Sequence, residues 1–330
     1  MIHKILIGIG AGFVAAILSI AVAAGTVSIV SLLLFLAAPL PLFIVGMGWG
    51  SIAAAAGALS GAITLATVFG FLPGVSFLIS IGGPPTVLCY LALLSRPSSE
   101  GSSTGGDQTA DREWYPMGRL ILWVAGIAGT LIVVSVLLSG PDAQSYRAVL
   151  ETAILQSIKL QPGLAEALQQ ANEENLKAFV AFFVRMMPLF FAATWVLLTL
   201  GNMWAAIKVL DVSGRSIRPW APFPEIEFPR MAAGVLGACV IASLLPDTLG
   251  LFAEVYTSAL VTVFAVLGLA VLHYLTRDYP ARIFLLLTVY LAIFMFNWLA
   301  ALLLAAFGVA EIGFGLRARK TSHGQGGSTT

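Results

Sequence analysis

Arg185 sits in AFVAFFVRMMPLFF, a charge well inside an apolar run long enough to cross a bilayer. A charge at membrane depth is costly, so such a residue is by default a functional candidate. Its planar fork of donors would suit a carboxylate or a phosphate if the side chain lined a pocket. The other reading is equally physical. About 10 Å of helix separates Arg185 from the start of its run at Ala178, a distance a long arginine covers by snorkelling to the headgroups. Pro188, about one turn on, loosens the same helix.

A second group carries no charge at all. ISIGGPPTVLCYL places Gly82, Gly83, Pro84 and Pro85 in mid-span, and FLAAPLPLFIVGMGWG places Pro39 and Pro41 ahead of Gly46, Gly48 and Gly50. Interior proline removes a helix hydrogen bond and clashes with the preceding turn, at about 3 kcal/mol or more. Irregular backbone is tolerated in a membrane only inside protein or beside a water-filled cavity. Two interrupted segments in neighbouring spans point to a binding site in transporter-like folds; ordinary kinking is the competing explanation. Asn202 is placed to hydrogen-bond between helices, the usual work of an intramembrane amide. The candidate substrate-binding set is therefore Pro39, Pro41, Gly82, Gly83, Pro84, Pro85, Arg185 and Asn202. A transporter would have them line a polar cavity; a scaffold would have them tightly packed.

Other chemistry is missing from the sequence. There is no G-x-x-x-x-G-K-[ST] and no H-E-x-x-H. Cys89 and Cys239 lie in apolar runs, and His3, His273 and His323 are scattered. The expectation is a protein that is not an enzyme and has no metal and no cofactor. A net charge of +1 gives no support for a nucleic-acid partner.

These residues must be positioned by membrane helices. Of 330 residues 59% are hydrophobic and 10% charged, against about 25% charged in soluble domains, and the mean hydropathy is +0.96. Spans of about 17–25 residues are expected near Ile5–Ala24, Val27–Gly48, Ser51–Leu72, Val75–Ser95, Met117–Leu138, Ala178–Leu210, Met231–Leu245 and Leu251–Leu275. The first reads as an uncleaved helix and not as a cleaved signal, because it is long enough to span and further spans follow at once. The run Ile283–Leu316 is too long for one upright span, so it is one strongly tilted helix or two short ones meeting near Phe296-Asn297-Trp298. The fold class is all-α, a polytopic transmembrane helix bundle of about 8–10 spans with short amphipathic external cap helices.

With the N-terminus in the cytoplasm, Lys4, Arg96, Arg112, Arg119, Lys208, Arg215, Arg218, Arg230, Arg277 and Arg282 all fall on that side, as the positive-inside rule asks. The cytoplasmic tail Arg317–Lys320 then favours two short helices over one. The expected organisation is residues 1–95 with the broken helices, a flexible Ser/Gly-rich linker over 96–116, a second membrane segment over 117–317, and a disordered tail over 318–330. The external segment 142–177 reads as two cap helices separated at Gln161-Pro162-Gly163, the first carrying Tyr146, Val149, Leu150, Ala153 and Ile154 at helical spacing. DVSGRSIRPWAPFPEIEFPR reads as an extended proline-rich loop. Trp114-Tyr115, Trp220 and His273 read as interfacial, Glu254 as an interfacial charge, and Glu311 as pairing with Arg282 or Arg317.

Small residues recur four apart: Ala11, Ala15, Ser19 and Ala23 on one face of the first span, Gly8, Gly12 and Ala16 on another, and Ala53, Gly57 and Gly61 in the third. Such faces pack within a bundle or dock a second subunit.

REWYPMGRLILW, LGNMWAAIKVLDVSGRSIRPW, GLAVLHYLTR and LLLAAFGVAEIGFGLRAR resemble the YybS-like family of bacterial membrane proteins, a family of unknown function. The resemblance runs from PLPLFIVGMGWG to the final RAR, and Glu311 stands where that family usually has aspartate. It implies a distant similarity to the substrate-binding S components of energy-coupling-factor vitamin transporters. The face Ala11, Ala15, Ser19 would then dock a partner membrane subunit or ATPase. The expectation is a multi-pass protein of the bacterial inner membrane, in contact with lipid, binding a small molecule for transport without its own motor. The alternative is a non-transporting scaffold or assembly factor.

Overall fold

The computed structural model describes residues 1–21, 28–97, 112–140, 142–159, 173–296 and 298–325. It is a helical membrane protein: seven helical stretches among these residues are long and apolar enough to cross a bilayer. They are α1 (Ile2–Ser19), α2 with α3 (Ile29–Leu36 and Leu40–Trp49), α4 (Ser51–Phe69), α5 with α6 (Phe71–Phe77 and Gly83–Ala92), α7 (Met117–Ser139), α9 (Glu173–Val212) and α11 (Asp247–Leu275). The apolar runs set their positions, and glycine sets two of the turns. Gly50 at φ 108° and Gly70 at φ 99° are single-residue hinges between α3, α4 and α5, a backbone state that side chains other than glycine's rarely allow.

Three further apolar helices among these residues are shorter. Met231–Leu245, expected to span, contains only α10 (Met231–Ala242), 12 residues or about 18 Å, less than the bilayer's hydrocarbon. α12 (Arg282–Phe296) and α13 (Trp298–Phe314) divide the last apolar run into two helices; Asn297, between them in the chain, lies outside the described residues. The expected flexible linker is tied at its base: β1 (Ser95–Pro97) pairs antiparallel with β2 (Arg112–Trp114), while 98–111 lie outside the described residues. The first cap helix is α8 (Ala143–Lys159). The second is expected from 164 on, and residues 160–172 lie outside the described set; from Glu173 the chain already belongs to α9. The tail is a correction. α14 (Leu316–Gln325) is helical where disorder is expected, because Arg317 and Lys320 are tied down by Glu311 and Asp278; 326–330 lie outside the described residues.

The contacts form two compact units that do not follow chain order: residues 1–124 with 197–228, and 125–196 with 229–330. α7 and α9 each contribute to both. In the first unit α1 meets α4 through glycine. A Cβ at Gly57 would lie 2.8 Å from the Gly8 carbonyl oxygen, and one at Gly61 2.9 Å from that of Gly12, so neither backbone could approach with a larger residue. Ala15, Ala16, Leu42, Ala62, Leu65 and Phe77 close the core beside this seam. The second unit repeats the device where Gly268 of α11 abuts the Leu304 backbone of α13 and Gly308 abuts that of Phe264.

Candidate functional site

The interruption at Pro39 and Pro41 is closed from inside the chain. Neither proline has an N–H, and the Leu40 N–H turns to the Ala37 carbonyl at 3.0 Å. The Leu36 carbonyl thereby loses its usual helical donor. Asn202 of α9 supplies the replacement, donating from Nδ2 to Leu36 O at 2.9 Å and to Leu198 O at 2.8 Å. Asn202 is buried, Pro39 and Pro41 half-buried. Unpaired, that carbonyl would cost about 1–3 kcal/mol.

The second interruption is a π turn. Leu78–Gly82 widens the helix so that Gly83 N–H reaches Leu78 O, five residues back, which accommodates the missing donors of Pro84 and Pro85. Thr86 Oγ1 donates to Gly82 O at 2.9 Å. Gly82, Pro84 and Pro85 are buried and Gly83 half-buried; a Cβ on Gly82 would meet that of Ala58 at 2.9 Å. Gly82, Pro84 and Pro85 therefore face protein, while Ile79 and Ser80 of the π turn are exposed. Of the predicted set, Pro39, Pro41, Gly82, Gly83, Pro84, Pro85 and Asn202 belong to the first unit.

Arg185 belongs to the second unit. Its side chain is 68% exposed and its Nη2 lies 3.6 Å from Glu254 Oε1, a loose pair of the kind worth little when solvated. Glu254 is thus a partner for Arg185, a role beyond that of an interfacial charge. On the same two helices Ser258 Oγ donates to Leu189 O at 2.7 Å, beside Pro188.

The face Ala11, Ala15, Ser19 is partly enclosed. Ala15 is fully buried in the α1–α4 core, and Ala11 and Ser19 are half-buried. The α4 glycines meet the other small-residue face, Gly8 and Gly12.

Two features escape sequence reasoning. One is Arg218, in the proline-rich loop. It is buried, and its Nη1 donates to Ala92 O at the end of α6 (2.8 Å) and to Tyr115 O beyond β2 (3.0 Å). Its guanidinium stands 4.5 Å from the Trp220 ring centre and 5.8 Å from that of Trp114, so these tryptophans wall a cation. Burial pushes its pKa down to about 10. The signal in the sequence is the density of Arg, Pro and Trp in RSIRPW. The other is a groove of about 380 Å³ between α8 and α9, lined by Leu150, Ala153, Ile154, Ser157, Ile158, Phe179, Phe183 and Met187. The amphipathic spacing of α8 announces a buried stripe but not that the stripe stops short of its neighbour.

Residues 13–312 match the family described as predicted membrane protein DUF2232. The chain belongs to that family. No curated protein matches it, and no solved structure does. Within this DUF2232 chain the closing signature has a structural meaning. Glu311 accepts from Arg317 Nε at 2.8 Å and from the Arg317 backbone N–H at 3.2 Å, both side chains being 10% exposed. Of the two partners expected for Glu311, it is Arg317. Lys320 then donates to Leu275 O at 2.9 Å and Asp278 Oδ2 at 2.6 Å, seating α14 on the end of α11.

Proposed function

We propose that this membrane protein binds a small, largely apolar molecule as a subunit without a motor or catalytic chemistry of its own, in the manner of a transport S component. The α8–α9 groove carries this reading. Its volume of about 380 Å³ falls at the low end of ligand sites, about 300–1,000 Å³, and its lining is apolar. Gly82, Pro84 and Pro85 are buried, and we place the binding in the groove. Basic residues between the spans support an inner-membrane orientation with the N-terminus in the cytoplasm, which puts α8 on the outer side. Without a phosphate-loop motif, energy for transport comes from a partner ATPase or an ion gradient. Since Ala15 is enclosed, such a partner engages α1 through exposed Phe13, Val14 and Ile17.

A thermal-shift screen of the purified protein tests this, covering vitamins, nucleosides, amino acids and amphiphiles, with uptake measured in a deletion strain. A ligand that raises the unfolding temperature and whose uptake fails in the deletion strain is the expected result. No stabilising ligand and no uptake defect would leave the second reading, a membrane scaffold. That reading draws on the sealed packing of Gly82, Pro84, Pro85 and the α1–α4 seam.

A further inference from the structure

We infer that the α8–α9 groove holds one acyl chain of a membrane phospholipid. This rests on the groove's being the binding place and names the class of its occupant. The lining offers no free polar donor. Ser157 is its one hydroxyl, and Oγ donates to Ala153 O at 2.8 Å; Leu150, Ala153, Ile154, Ile158, Phe179, Phe183 and Met187 offer only hydrocarbon, thioether and ring surface. A polar solute would give up hydration there for nothing, whereas a hydrocarbon chain loses nothing.

The walls also show where the occupant comes from. Phe179 and Phe183 remain 41% and 43% exposed, and the apolar surface continues along α9 through Phe182 and Phe190 at 60% and 61%. α9 has 40 residues, about 60 Å, and even a tilt of about 40° leaves some 15 Å beyond a hydrocarbon layer of about 30 Å. The helix therefore carries an apolar recess, continuous with its lipid-contacting surface, to where the bilayer ends. Patches of this kind are not left to water. A lipid chain reaches the recess without leaving an apolar medium, which favours phospholipid over a solute arriving from solution.

The test uses the full-length protein in phosphatidylethanolamine–phosphatidylglycerol vesicles doped with a phospholipid bearing a diazirine at the end of one acyl chain. Illumination and peptide mapping are expected to place adducts on 150–158 and 179–187. Ala153→Phe and Ser157→Trp fill the groove from exposed positions and are expected to lower those adducts at least fivefold. Adducts on α12, where Ile283 and Phe294 are exposed, serve as the reference and stay constant, as does the unfolding temperature. Equal labelling of groove and α12, unmoved by either variant, would overturn the inference as annular lipid only. So would a benzophenone at position 157 cross-linking to residues 160–172 of the same chain, or to a second copy. A water-soluble ligand that stabilises wild type but not Ser157→Trp would keep the binding function and reject the acyl chain. Groove adducts without any uptake phenotype would keep the acyl chain and reject transport.

Discussion

The stretch around Pro39–Pro41 and the stretch around Phe179–Met187 are both apolar helix in which sequence signals a disturbance. At the first, two prolines strip the backbone of donors, and Asn202 reaches in to supply one, so the chemical gap is closed from within the chain. At the second, the backbone keeps its helix through Phe179–Met187, yet α8 stands off far enough to leave about 380 Å³. An interrupted helix is thus not the same thing as a cavity. What an interruption requires is a partner for its orphan carbonyls, and a buried amide or a π turn serves as well as water. What a cavity requires is side chains too short to meet.

The sharpest way to break this contrast is at the seam of the first unit. Gly12→Leu drives a side chain into the Gly57 backbone and Ser60, and is expected to cost about 3 kcal/mol or more. Gly10→Ala, with open space around it, should stay within about 0.5 kcal/mol. Reversible unfolding in mixed micelles measures both, and equal effects would deny that the seam is tight.

Next comes Arg218→Met, which leaves the Ala92 and Tyr115 carbonyls without their shared donor. A loss of about 2–3 kcal/mol is expected, with faster hydrogen exchange at β1 and β2. Exchange confined to the 213–230 loop would show that Arg218 holds only its own segment.

Asn202→Leu keeps the volume and deletes the donor. We expect it to cost about 1–3 kcal/mol and to loosen the α2–α3 junction. If stability is unchanged, the Leu36 carbonyl has found another donor and the closure of the break is not Asn202's doing.

In the second unit the effects shrink. Arg185→Ala removes an exposed, loosely paired charge, and should change stability, and affinity for any ligand found, by less than about 1 kcal/mol. A larger loss of affinity would put Arg185 at the ligand.

The smallest effect is one of pH. The Lys320 ammonium, and to a lesser degree Arg277, holds the Asp278 carboxyl below the ordinary carboxylate range. A carboxyl depressed by folding adds stability above its unfolded pKa and loses it as pH falls through the folded value. α14 should therefore stay protected at pH 5 and fray only below the ordinary carboxylate range. Hydrogen exchange over Leu316–Gln325 reads this directly, and fraying that begins near neutrality would point to a different anchor.

Much of this was legible in the chain alone. Apolar runs of span length fixed the membrane helices because lipid leaves backbone groups no partner but each other, and that constraint is local to each segment. Over Met231–Leu245, bracketed by Pro229 and Pro246, the helix is shorter than the run, 12 residues. The four-residue spacing of Gly8, Gly12, Gly57 and Gly61 announced close approach, but only the fold decided that they approach one another and not a partner. Glu311 needed a cation, and which arginine answers depended on Gly315, which turns the chain at φ 59° and brings Arg317 back to the carboxylate. The Leu36–Asn202 bond joins positions 166 residues apart, and the α8–α9 groove exists only as a distance between two surfaces. Patterns of single residues determine what each helix must bury; whether anything fills the space beside it is settled by which helices meet.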